Sequence, residues 1–81
     1  MVELIESIRR CREVIEVLKT YEVISVDAEG VNLGKEGPLT LLQIGTPDEK
    51  VYLFDVLTNK RLFEDGNLKM ILQSPQIVKV M

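Results

Sequence analysis

The chain has 81 residues, 46% of them apolar and 28% charged, a balance that can build a core and solvate it, so a disordered chain is excluded. No apolar run approaches the roughly 20 residues that span a bilayer, and the N-terminus lacks the apolar stretch of a secretory signal; a cytoplasmic address is expected, with the nucleus as the alternative. One cysteine and no histidine exclude an internal disulfide and a Cys/His zinc site, and a net charge of −3 argues against duplex binding driven by phosphate neutralisation alone.

Val2 to Ile5 is a short apolar stretch ending at Glu6 and Ser7, and Ser7 is placed to cap a helix. That helix is expected from about Ile8 to Tyr21. Ile8, Cys11, Ile15 and Leu18 recur at spacings that put them on one stripe, which Val14 and Tyr21 widen. Arg9 with Glu13 and Arg12 with Glu16 are spaced to pair on the opposite, solvated face. Val23 to Val26, β-branched and apolar, reads as a buried strand entering Asp27-Ala28-Glu29-Gly30. A glycine-rich loop, 31–38, follows. Leu39 to Ile44 is a second strand and Val51 to Phe54 a third, with turn chemistry at Thr46-Pro47-Asp48-Glu49, so the two should form an antiparallel hairpin. A polar stretch precedes a helix at Asn67 to Gln73, closed by Ser74-Pro75. Ile77 to Met81 begins a fourth strand with no turn residue or cap after it, so the chain is expected to be a fragment of a larger domain.

Asp27 and Glu29 resist a purely structural explanation, because both carboxylates sit at the end of an otherwise buried strand. The strand period of two puts them on one face. Carboxylates held together repel unless a cation lies between them, and Mg²⁺ or Mn²⁺ takes such oxygen ligands. The pattern alone is weak, since Asp-x-Glu is expected by chance about 0.4 times in a chain of this composition. An Asp and a Glu at a strand exit can equally start a turn. Gly30 would let a substrate approach the backbone closely, and Thr40 and Gln43 are candidate contacts to a nucleotide, although ordinary hydrogen bonding on a strand also accounts for them.

Context adds to the pattern. Val23 to Gly30, a glycine loop, Leu39-Thr40-Leu41-Leu42-Gln43-Ile44 and Val51-Tyr52-Leu53-Phe54-Asp55 together resemble the opening of the DEDD 3′-5′ exonuclease superfamily, the ribonuclease D-like group. Val-Ile-Ser-Val-Asp-Ala-Glu-Gly from Val23 and the helix around Met70-Ile71-Leu72 are similar to the exonuclease 3′-5′ domain-containing proteins linked to the piRNA pathway. The resemblance implies an α/β, RNase H-like fold, here its N-terminal part: an antiparallel three-stranded meander, a crossover helix and a fourth strand parallel to the first. It implies a single exonuclease-like domain over residues 1–81, truncated before the second catalytic motif, with Ile77 to Met81 leading into that motif.

The activity implied is metal-dependent removal of nucleotides from a 3′ end, acting on single-stranded nucleic acid, with RNA favoured. Two Mg²⁺ or Mn²⁺ ions serve the complete domain. By the resemblance, Asp27 bridges both and Glu29 holds the ion on the nucleophile's side. With two of the four acids, the 81 residues alone are expected to be inactive, and with an uncovered sheet edge they are expected to be marginally stable or self-associating. The competing expectation is a noncatalytic, RNA-binding adapter of a small-RNA pathway with protein partners.

Other motifs carry less. Gly30 to Glu36 has one residue too few between its glycines for a phosphate-binding loop, and Glu36 stands where a Ser or Thr would hold Mg²⁺. Cys11 reads as core filler, since no histidine exists to activate it. Asp55 reads as a cap, with a further metal ligand as the alternative.

Overall fold

A computed structural model describes residues 1–30 and 39–81, with the backbone alone for 30, 39 and 40; the loop read at 31–38 lies outside the described residues. Ser7 starts the first helix as expected. Its backbone is extended, and its hydroxyl accepts from the Arg10 N–H at 3.1 Å. Helix α1 (Ile8–Leu18) buries Cys11, Val14, Ile15 and Leu18, and Ile8 and Tyr21 pack partly buried against the same core. The helix stops three residues short of the expected end. There the Lys19 N–H still bonds Ile15, but the Thr20 N–H turns to Val17 and the Tyr21 N–H to Leu18, a tightening that closes the last turn.

The sheet has five strands: β1 (Val2–Ile5), β2 (Val23–Gly30), β3 (Leu39–Gly45), β4 (Val51–Phe54) and β5 (Val78–Val80), in the order β1-β4-β3-β2-β5. Strands β2, β3 and β4 form the expected antiparallel meander, and β5 pairs parallel to β2, Val23 beside Val78. A parallel pair needs a crossover. Helix α2 (Leu68–Gln73) supplies it, burying Leu68 and Ile71, after a single 3₁₀ turn at Lys60–Leu62 that the sequence reading took only as a polar stretch. Strand β1 adds to the expected architecture. It pairs parallel to β4 from Val2 beside Val51 to Ile5 beside Phe54, and so turns a bare apolar stretch into the sheet edge. At its two ends the Val51 N–H donates to the Met1 carbonyl at 2.9 Å and the Asp55 N–H to the Ile5 carbonyl at 3.0 Å.

One face of the sheet makes the core. Ile5, Ile24, Val26, Leu42, Ile44, Tyr52 and Phe54 are buried beneath the helices and join the helical residues in one cluster. The other face is open, and Val2, Leu4, Val23, Val78 and Val80 remain 39% to 66% exposed. On the surface of α1, Arg9 meets Glu13 at 3.9 Å as expected, but the pair Arg12 with Glu16 is not made. Glu16 pairs instead with Lys19 at 2.7 Å, and the Arg12 guanidinium donates to the backbone carbonyl of Asp65, which the fold brings within reach. Arg10 reaches Glu3 with two nitrogens, at 2.6 and 2.7 Å, tying α1 to the edge strand.

Two predictions follow from this packing. A Cβ at Gly66 would lie 2.6 Å from the Leu62 carbonyl oxygen and 2.8 Å from Cys11 Sγ, so backbone would have to move. Gly66→Ala should therefore cost about 1–3 kcal/mol in chemical denaturation. Gly45→Ala should cost less, because the atom it meets at 2.6 Å is the Ser25 hydroxyl, which can rotate away. The second concerns acid. The hydrogen bond from Arg10 holds the Glu3 carboxyl below its ordinary 4.5, so its contribution to stability is complete above that pH and is lost as pH falls through the lowered value. Arg10→Ala should melt below wild type near neutrality, and the gap should narrow as pH is taken from about 6 to about 3.

Candidate active site

Packing decides where the two acids point. Ile24 and Val26 are fixed in the core at 1% and 5% exposure, and alternation along β2 then sends Ser25, Asp27 and Glu29 to the open face. Asp27 and Glu29 are both exposed and two residues apart on one strand, so the arrangement read from the sequence is the one observed. Across the ladder Asp27 faces Gln43 and Glu29 faces Leu41. The register then shifts between Glu29 and Gly30, so that Gly30 pairs with Leu39 and Thr40 is passed over.

Asp27, Glu29 and Gln43 therefore share a face. Gly30 and Thr40 lie at the bulge just beyond them in the ladder. The chemistry of this set is that of a hard-cation site, two carboxylates with an amide beside them and no sulfur or imidazole on the neighbouring ladder positions. Among the described residues no group of three or more His, Cys, Asp and Glu comes together. Mg²⁺ commonly uses one or two carboxylates and keeps several waters or substrate oxygens.

The remaining candidates have structural work. Asp55 Oδ1 accepts from the Thr58 N–H at 3.1 Å, the cap expected of it. Cys11 is fully buried under the Leu62 carbonyl, and burial pushes its thiol up to about 11. A polar cluster that sequence reasoning did not single out sits at the β3–β4 turn. The Tyr21 hydroxyl donates to Asp48 at 2.9 Å, the Thr46 hydroxyl donates to Asp48 at 2.6 Å, and the Lys50 N–H returns to Thr46 Oγ1 at 3.0 Å. These bonds, that from Thr46 first, hold the Asp48 carboxyl below its ordinary value. They also hold Glu49 in a left-handed conformation, φ 68°. Since the turn follows Gly45, which pairs with Ser25, this cluster lies at the opposite end of β2 from Glu29. A cavity of about 410 Å³ between the end of α1 and α2, lined by Tyr21, Ile71 and Ile77 among others, has neither acid in its wall.

Known structures share this architecture. *Escherichia coli* RNase D, described as an exoribonuclease involved in structured RNA processing, superposes with a TM-score of 0.79 at 25% identity, over 98% of this chain and 20% of that one. The exonuclease domain of EXD2, solved after soaking in Mg and GMP, superposes with a TM-score of 0.71 at 27% identity, over 99% of this chain and 44% of that one. The fold is that of a ribonuclease D-like, RNase H-like domain of the DEDD exonuclease class. The 3′-5′ exonuclease family model matches residues 2–81, and the chain belongs to that family. Within it, the mouse piRNA biogenesis protein EXD1 is 45% identical over 64 residues, 78% of this chain. The chain spans 11% of the length of that relative. Exonucleases of this family generally use divalent metal ions.

The burial of Cys11 supports a further expectation. In the folded protein near neutral pH a maleimide should label this thiol no faster than the protein unfolds, and denaturant should restore rapid labelling.

Proposed function

We propose that this chain belongs to a metal-dependent 3′-5′ exonuclease that shortens single-stranded RNA, with Asp27 and Glu29 as the residues that hold the metal. The observation that carries the reading is the pair of exposed carboxylates on one face of β2, at the end of a strand whose other face is locked in the core. RNA is favoured over DNA by the RNA-processing role named for *Escherichia coli* RNase D and by the piRNA role named for EXD1.

A divalent ion held by Asp27 and Glu29 would lower the pKa of an attacking water and offset charge on the leaving oxygen. The residues of this chain bind and orient. Asp27 and Glu29 supply anionic oxygens from adjacent same-face positions of a strand paired with β3, so their backbone is in place before substrate arrives. Gly30, with no side chain, would let a sugar-phosphate backbone approach the strand closely. Gln43, on the neighbouring strand, offers an amide to a nucleotide or to the acids themselves, and Thr40 is a further candidate contact to a nucleotide.

A second reading is favoured by the 45% identity to a piRNA biogenesis protein: an exonuclease-like domain that holds RNA or a protein partner without cutting. One experiment separates the two. The full-length protein is incubated with 5′-labelled single-stranded RNA in Mg²⁺ or Mn²⁺, and product length is followed. The nuclease reading expects stepwise shortening from the 3′ end, slowed at least about a hundredfold by Asp27→Asn and by Glu29→Gln. Trimming that is unchanged in Asp27→Asn removes Asp27 from the site, and RNA binding without trimming supports the adapter.

A further inference from the structure

Asp27 lies directly opposite Gln43 in the β2–β3 ladder, and Gln43 is in turn opposite Leu53 of β4. The half-buried glutamine thus has a carboxylate on one side and a hydrocarbon on the other. Directly opposed residues have Cβ atoms about 4.5–5.5 Å apart, within reach of a glutamine side chain. Among the described residues the Asp27 side chain makes no hydrogen bond or ion pair, to Gln43 or to any other group, so nothing there fixes the rotation of its carboxylate. Its other neighbours on this face are Ser25 and Glu29 along the strand and Leu41 and Gly45 on β3. Of these, Leu41, Gly45 and an ionised Glu29 have no side-chain donor, and the Ser25 hydroxyl leans over Gly45.

We propose that Gln43 is a positioning residue for Asp27: when a divalent cation is held there, its side-chain amide, which faces Asp27 across the ladder without bonding it in this structure, would turn to donate a hydrogen bond to the carboxylate oxygen pointing away from the cation. The proposal rests on the metal-site reading of Asp27 and Glu29. Carboxylates that ligate metals are themselves commonly hydrogen-bonded, and removing that outer partner costs about 10–100-fold in affinity or activity. A neutral donor suits the position. Lysine or arginine there would orient the carboxylate equally well but would repel the cation, whereas the amide orients it without adding charge. Leu53 and Leu41 offer the amide no competing acceptor in their side chains, so its N–H groups are directed to Asp27 or to water.

The test measures Mn²⁺ binding to the full-length protein by electron paramagnetic resonance, with no nucleic acid present. Wild type is compared with Gln43→Met, which keeps the length and removes the donors, with Gln43→Val, a strand-favouring replacement also without donors, with Asp27→Asn, and with the double variant of Asp27→Asn and Gln43→Met. Both Gln43 variants should bind Mn²⁺ about 10–100-fold more weakly, with unchanged KM for RNA and reduced kcat. In the Asp27→Asn background, Gln43→Met should cause no further loss, because the glutamine acts through that carboxylate. Mn²⁺ affinity equal to wild type in both Gln43 variants, or an additive loss in the double variant, overturns the proposal. A raised KM with unchanged Mn²⁺ affinity overturns it in favour of a direct substrate contact. If Asp27→Asn binds Mn²⁺ as tightly as wild type, the metal-site reading fails and the proposal with it, an outcome recognised by the silence of Asp27 rather than of Gln43.

Discussion

Strand β2 is hydrogen-bonded to β5 from Val23 to Ser25 and to β3 from Ser25 through Glu29, and this pairing leaves its side chains only two directions. Ile24 and Val26 take one of them into the core. A slip of one residue would expose both and drive Asp27 under the helices, where an unpaired carboxylate costs several kcal/mol. Hydrophobic burial, acting on residues with no chemistry of their own, therefore aims the acids. The site inherits its precision from the core.

The open face shows how that precision is used. Valines and leucines of β1, β4 and β5 surround a short polar row of Ser25, Asp27, Gln43 and Glu29. The row is narrow because it occupies paired positions on only two strands. The polar cluster of Tyr21, Thr46 and Asp48 belongs to the far end of the same strand pair and has a different task, holding a turn in which Glu49 takes a conformation that side chains disfavour. One strand pair thus carries a pinned turn at one end and exposed acids at the other.

Elements with a local cause were legible in the sequence. The cap at Ser7, the stripe of Cys11, Val14, Ile15 and Leu18, the hairpin turn and the Asp55 cap all depend on residues within a few positions of each other. The same-face placement of Asp27 and Glu29 was legible for the same reason, since strand alternation is local. What depended on distant partners was not. Strand β1 is four residues whose extended form is set by β4, and the Arg12 guanidinium chose a carbonyl 53 positions away over a glutamate four positions away. The pairing of Asp27 with Gln43 needs the β2–β3 register, which passes through a bulge and a loop that periodicity does not count.

The edge strand has a consequence for the order in which the molecule assembles. Val2 pairs with Val51, so β1 can dock only after about fifty residues of chain have been closed into a loop, whereas the β3–β4 hairpin closes within a few. Closure entropy makes the hairpin the early event and β1 a late one. Because β1 is tethered to α1 by the Arg10–Glu3 pair, the first residues of the chain and the first helix close over the hairpin side of the sheet in the same late step. Amide protons bonded between β1 and β4 would accordingly report the last stage of folding, and those between β3 and β4 the first.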